Sequence, residues 1–174
     1  VLFIITEKKV SRPMFDLSLF KIRLFTGGII TIFLNALARG SFTLIMSFYL
    51  QGPSMKLNSL DAGIYLIPVS IALAVFAPVS GWLYDKYKLR FFTSAGLLVS
   101  ALGFFILIGI GVTVSFYEIV MPLVMIGAGM GIFASPNRAS IMNSVPPPRR
   151  GVSAAISTTF VMVGNSFSIG LVFL

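Results

Sequence analysis

Arg39 is the residue whose position most needs a chemical explanation. It lies inside an apolar run from about Leu24 to Leu50, about 22 Å beyond Leu24 if the run is helical. An Arg at bilayer depth is costly, and such residues face a water-filled cavity or a partner. Asn35 falls one turn earlier on the same helix face. The two suit a polar or anionic group on a small molecule, or a carboxylate from elsewhere in the protein. The alternatives are snorkelling to the outer interface and a structural ion pair. Asn165, and with less weight Gln51, are further polar residues placed for a cavity.

Other chemistry is restricted by what is missing. The chain has no Cys and no His, so thiolate metal sites, Cys nucleophiles and the commonest general base and metal ligand are excluded. No carboxylates pair at helical spacing, and the phosphate-binding pattern Gly-x-x-x-x-Gly-Lys-[Ser/Thr] does not occur. Gly127-Ala128-Gly129-Met130-Gly131 sits within an apolar run and follows no strand, so it is no dinucleotide fingerprint. The expectation is a non-enzyme with no cofactor and no metal. None of the five acids lies in the interior of a span; Asp61 and Glu118 stand at helix starts, where an acid favours the dipole.

The elements that must position Arg39 follow from composition. Of 174 residues, 57% are hydrophobic and 10% charged, against roughly 25% charged in a soluble domain. So few charges point to a membrane protein. Five stretches have the roughly 20 apolar residues that a crossing helix needs: about 24–50, 62–83, 91–112, 117–136 and 151–174. They are too long and too continuously apolar for barrel strands. The fold class is all-α membrane protein, a partial bundle of about five transmembrane helices over 24–174. Residues 1–5 read as the end of a preceding transmembrane helix, and the whole chain reads as an internal piece of a larger protein.

Charge gives orientation. Lys8, Lys9, Arg12, Lys21 and Arg23 lie in 6–23, Lys86, Lys88 and Arg90 in 84–90, and Arg138, Arg149 and Arg150 in 137–150. All but Arg39 and Lys56 of the 13 cations thus fall on one side of the membrane. By the positive-inside rule the loops 6–23, 84–90 and 137–150 are cytoplasmic. The net charge of +8 is then a topology signal and not a nucleic-acid surface. Within 6–23, Pro13 followed by Phe15, Leu19 and Ile22 at helical spacing allows a short amphipathic helix at the inner interface; a plain basic linker is the alternative.

Pro68 and Pro78 each remove a backbone hydrogen bond from the second span and kink it, as expected for a helix that lines a cavity or changes shape. Gly127 and Gly131, four apart, give the fourth span a smooth face for close packing. Gly96, Ser100 and Gly103 do so more weakly in the third. Pro146-Pro147-Pro148 is expected to hold an extended path between the last two spans.

The turn Gly81-Trp82-Leu83-Tyr84-Asp85-Lys86-Tyr87-Lys88-Leu89-Arg90 resembles the major facilitator signature Gly-x-Leu-x-Asp-[Arg/Lys]-x-Gly-[Arg/Lys]-[Arg/Lys]. It matches at Gly81, Leu83, Asp85, Lys86 and Arg90 and departs at Lys88 and Leu89. Further features resemble the C-terminal half of fourteen-span drug/proton antiporters. They are Arg12-Pro13, Phe20-Lys21-Ile22-Arg23, Tyr49-Leu50-Gln51, Ala62-Gly63 with Pro68, Gly127-x-Gly-x-Gly with Pro136, and Val145-Pro146 before Arg150-Gly151. The resemblance implies a secondary transporter working by alternating access, with Asp85 and its basic neighbours forming a cytoplasmic latch. It implies a small-molecule substrate, protons as coupling ion, and an N-terminal bundle completing the cavity. The function expected is proton-coupled export of amphipathic or drug-like solutes across the cell membrane; the alternatives are a facilitator or importer in the same superfamily and, further off, a non-transporting scaffold.

Overall fold

A computed structural model describes residues 16–53, 55–87, 91–111 and 115–174. Among the described residues five helices are long and apolar enough to cross a membrane: α1 (Arg23–Gln51), α2 (Ser59–Tyr87), α3 (Phe91–Ile108), α4 (Phe116–Asn143) and α5 (Arg150–Val172). No strand occurs among the described residues. The chain is therefore the all-α multi-pass bundle that its composition requires: in hydrocarbon a helix satisfies its own backbone polar groups. At 29 residues each, α1 and α2 are about 44 Å long. Their polar ends thus project past a hydrocarbon layer of about 30 Å.

Several helix ends differ from the expected span limits; α2 runs from Ser59 to Tyr87, so 84–87 of the expected loop 84–90 are helical. α3 stops at Ile108, short of Val112, which lies outside the described residues; Gly109 and Gly111 follow, and the Gly109 N–H has already tightened onto Ile106 O at 3.0 Å. α4 does not end at Pro136 but runs on to Asn143, so the first half of the expected loop 137–150 is helical. One internal proline costs a single ladder bond, and burial of Pro136 and Ile141 in apolar surroundings offsets it. Pro147-Pro148-Arg149 forms a 3-10 turn leading directly into α5 instead of an extended run. Prolines suit the first positions of a helix, where the missing N–H has no partner to lose.

The chain divides into two compact units, Val1–Ser41 with Ser140–Leu174, and Phe42–Ala139. In the second unit α4 is the central element: 61% of its apolar window is buried, against 11% for α2 and 17% for α3. Glycine spacing explains how one helix serves two neighbours. Gly127 and Gly131 lie about 40° apart on the helix, and Gly129 lies about 200° round from Gly127. A Cβ on Gly127 would come within 2.9 Å of the Val69 backbone, and one on Gly131 within 2.9 Å of Ala77 N, both on α2. A Cβ on Gly129 would meet Ser100 and come 2.6 Å from Gly96 O, both on α3. Gly96 reciprocates against Phe133 N and Gly129 O, and Gly103 against Ile126 and Pro122 O. The Ser80 hydroxyl adds a buried hydrogen bond from α2 to Gly131 O at 3.0 Å. Around these backbone contacts pack Phe42, Met46, Leu50, Ala62, Ile119, Leu123, Ile126 and Met130.

In the first unit, Leu19, Phe25, Ile29, Ile141, Val145 and Ile156 form the core. α1 meets α5 through Phe33, Ala36 and Gly40 against Phe160, Gly164 and Ser168. The described part of segment 6–23 is one 3-10 turn, Leu17–Lys21, that buries Leu19; Pro13 and Phe15 lie outside the described residues. Asp16 caps this turn, accepting from Ser18 N at 2.9 Å, and pairs with Arg149 Nη1 at 2.9 Å. The same Arg149 nitrogen donates to Ser18 Oγ at 3.0 Å. The Ser18 hydroxyl, then its N–H and the Arg149 charge, hold the Asp16 carboxyl below its ordinary pKa against a smaller opposing push from burial.

Two outcomes are expected. Gly129→Ala forces α3 and α4 apart and destabilises the full-length protein by about 1–3 kcal/mol, while Gly63→Ala, where the added Cβ meets nothing, is neutral or better; detergent thermal melts compare them. A lowered carboxyl pKa stabilises the fold above the ordinary carboxylate range, and that stability is lost as pH falls through the folded-state value. Wild type therefore loses more stability than Asp16→Asn on acidification below about pH 4. The difference stays under about 1 kcal/mol, because the Arg149 side chain is half-exposed.

Candidate functional site

The first unit holds Asn35, Arg39 and Asn165; Gln51, the other polar residue selected for a cavity, lies in the second unit, where it accepts from Ser59 Oγ at 3.3 Å. Asn35 and Arg39 sit one turn apart on α1, Asn35 half-buried and Arg39 exposed. The residues of α1 that meet α5 are Phe33, Ala36 and Gly40. On a 100° wheel Asn35 lies about 130° and Arg39 about 90° from the centre of that contact, so both stand on its flank. Asn165 on α5 is half-buried, and its backbone carbonyl reaches α1, lying 3.2 Å from where a Gly40 Cβ would stand. The α5 chain at Asn165 thus packs beside the α1 turn that carries Arg39. That turn also receives the buried hydroxyl of Ser168. Sequence reading passed over Ser168; the available signal was the four-residue spacing of small residues, Ala36 and Gly40 on α1 against Gly164 and Ser168 on α5.

The second unit holds the turn with the signature. Gly81 faces α4, where an added Cβ would lie 3.3 Å from the Ser135 Cβ. Leu83 is half-buried, while Asp85 and Lys86 are exposed in the last turn of α2; Lys88, Leu89 and Arg90 lie outside the described residues. The Lys86 ammonium stacks 5.0 Å from the Trp82 ring and 5.3 Å from the Tyr87 ring, a cation–π arrangement. The negative end of the α2 dipole disfavours a carboxylate at Asp85 by a few tenths of a kcal/mol or more. Local structure thus gives Asp85 no reason to be acidic, which fits a carboxylate that serves a contact beyond its own helix.

Pro68 and Pro78 lie within α2, as Pro122 and Pro136 do within α4. The α4 prolines are fully buried, and both were left out of the sequence reading of kinked helices. Pro68 immediately precedes Val69, whose backbone an added Cβ on Gly127 would meet; one proline-bearing turn of α2 thus lies against α4. A cavity of about 200 Å³ is lined by Ile45, Met46, Tyr49, Leu107, Ile110 and Ile119, none of them a residue selected from the sequence. Its one polar wall, the Tyr49 hydroxyl, donates to Gly111 O at 2.8 Å. Among the described residues no group of three or more His, Cys, Asp or Glu is placed to hold a metal. Asp61 and Glu118 lie in the first turns of α2 and α4, and Glu118 accepts from Ser115 N at 2.9 Å, a capping role.

Comparison with known proteins extends along nearly the whole chain. It is 29% identical over 172 residues to the Uncharacterized transporter YebQ of Escherichia coli (strain K12), covering 99% of this chain and 37% of the relative. It is 27% identical to the Lincomycin resistance protein LmrB of Listeria innocua, covering 95% of this chain and 35% of the relative. With the Riboflavin transporter RibZ of Clostridioides difficile the identity is 28%, over 99% of this chain and 37% of the relative. The chain therefore spans little more than a third of the length of these relatives. The family profile of the Major Facilitator Superfamily matches residues 4–169. A bundle with five membrane-length helices among the described residues, the acidic–basic pair in the last turn of α2 and this match together place the chain in its family: it belongs to the Major Facilitator Superfamily.

Proposed function

We propose that the protein containing this chain is a secondary transporter that exports amphipathic or drug-like solutes across the cell membrane in exchange for protons, by alternating access. The observation that carries the reading is Arg39 with Asn35: a cation and an amide one turn apart within a span of membrane length, on the flank of the α5 contact, with Arg39 exposed in this unit. A cationic donor set at that depth suits an anionic or polar group on a solute, or a carboxylate on another bundle. Family membership supports transport, and the resistance named for LmrB supports export of foreign compounds. The proton-binding acid is assigned to a part of the protein beyond this chain, because Asp61 and Glu118 are at helix starts. Asp85 and Lys86 serve as part of a cytoplasmic latch, with loops 6–23, 84–90 and 137–150 on the cytoplasmic side. Pro68 and Pro78 give α2 the irregularity a rocking bundle uses. A second reading, transport of another metabolite-like solute, has the name of RibZ in its favour.

Full-length protein in vesicles with an imposed pH gradient tests the reading. A panel of amphipathic cations and antibiotics is expected to move only while the gradient lasts; movement of a metabolite alone, insensitive to the gradient, favours the second reading. Arg39→Ala is expected to cut transport at least about tenfold, a barrier change of about 1.4 kcal/mol, with membrane insertion normal. Unchanged transport would return Arg39 to a structural role. Asp85→Asn is expected to slow turnover while leaving solute binding intact.

A further inference from the structure

Ser168 contacts α1 in an unusual way, through the backbone. Its side chain is fully buried. The Ser41 N–H donates to Ser168 Oγ at 2.5 Å, and Ser168 Oγ donates to Leu37 O. The Ser41 hydroxyl lies 2.5 Å from Ser168 Oγ and 3.2 Å from Ser168 O. Leu37 O and Ser41 N are the acceptor and donor of one turn of the α1 ladder. The Ser168 hydroxyl therefore straddles both ends of a single helical turn. Gly40 makes room for it: an added Cβ there would stand 2.8 Å from the Ser168 Cβ and 2.9 Å from its Oγ.

Arg39 sits in the middle of that turn. We infer that Ser168 is a positioning residue for Arg39: its grip on the α1 backbone fixes the rotation of the turn Leu37–Ser41, and so the direction in which Arg39 projects. Contacts between side chains let rotamers absorb a small displacement of the neighbour. A grip on a carbonyl and an amide does not, since both atoms belong to the helix itself. Removing the hydroxyl leaves Leu37 O and Ser41 N only each other, the ordinary ladder bond, and nothing then ties the rotation of the turn to α5. A shift of α5 at Ser168 accordingly re-aims Arg39. The significance of that for solute or ion rests on the transporter reading above; the positioning itself does not.

The test uses full-length protein in membrane vesicles. The present chain has no cysteine, so Arg39→Cys introduces a single reporter thiol here once any cysteines elsewhere are replaced. Its reaction rate with a water-soluble maleimide is measured with and without Ser168→Ala. The control is Ile30→Cys, an exposed position on the same helix. A change of at least about threefold at position 39, the scale of one hydrogen bond, with position 30 unmoved, is the expected result. Gly40→Ala, which displaces the same hydroxyl sterically, is expected to reproduce it and covers the case in which Ser168→Ala does not assemble. Equal rates at position 39 in both backgrounds, or equal changes at 30 and 39, overturn the inference. In transport, Ser168→Ala is expected to lose activity beside Arg39 but to add little to Arg39→Ala. If Arg39→Ala transports normally while labelling at 39 still responds, the transport role fails and the positioning stands.

Discussion

Close approach of backbones at α4 is the constraint on which the second unit depends. Between membrane helices the hydrophobic effect supplies little, because lipid tails are as apolar as the side chains they would replace. Association rests on van der Waals contact, and contact is greatest where no Cβ intervenes. Gly127, Gly129 and Gly131 place such points on two faces of one helix, and α2 and α3 each take one. The large apolar residues around them, from Phe42 to Met130, fill the space this approach defines. The polar contact between Ser80 and Gly131 O is within reach only because the helices are already that near.

Much of this was legible in the sequence, for physical reasons. Spans are readable because an apolar run of membrane length has few other uses, and Gly127 with Gly131 because a four-residue interval keeps two positions on one face. What the interval does not give is the partner. Nothing in the spacing says that Gly129 turns to α3 while its neighbours turn to α2. Pro136 misled for a related reason. Proline is a strong local signal for a helix end, but Ile141 and Val145 have a core to enter, and tertiary burial carries α4 past it. The proline run before α5 reads locally as extended chain and folds as the first turn of a helix. For Ser168 the four-residue spacing with Gly164 marks a packing face, but not the hydroxyl's role, which depends on backbone atoms of α1.

Two charges stand apart by where they sit. Most cations fall in the segments that the proposed topology makes cytoplasmic, and Asp16 with Arg149 ties a 3-10 turn to the start of α5. Arg39 stands in mid-span and Asp85 at the unfavourable end of a helix dipole. Each is costly or badly matched at that position. Lys86, the nearest cation in sequence to Asp85, is engaged by Trp82 and Tyr87.

The Ser168 contact has a consequence for how the protein tolerates change. A carbonyl oxygen is present whatever residue occupies position 37, so substitutions there pass unnoticed by α5. At position 41 any residue but proline still offers the amide, and only the added contact of the Ser41 hydroxyl to Ser168 depends on the side chain. The cost of variation falls instead on position 168, which must carry the hydroxyl, and on position 40, which must stay small. The information that aligns Arg39 is thus stored away from Arg39, on another helix and in a glycine that has no chemistry of its own.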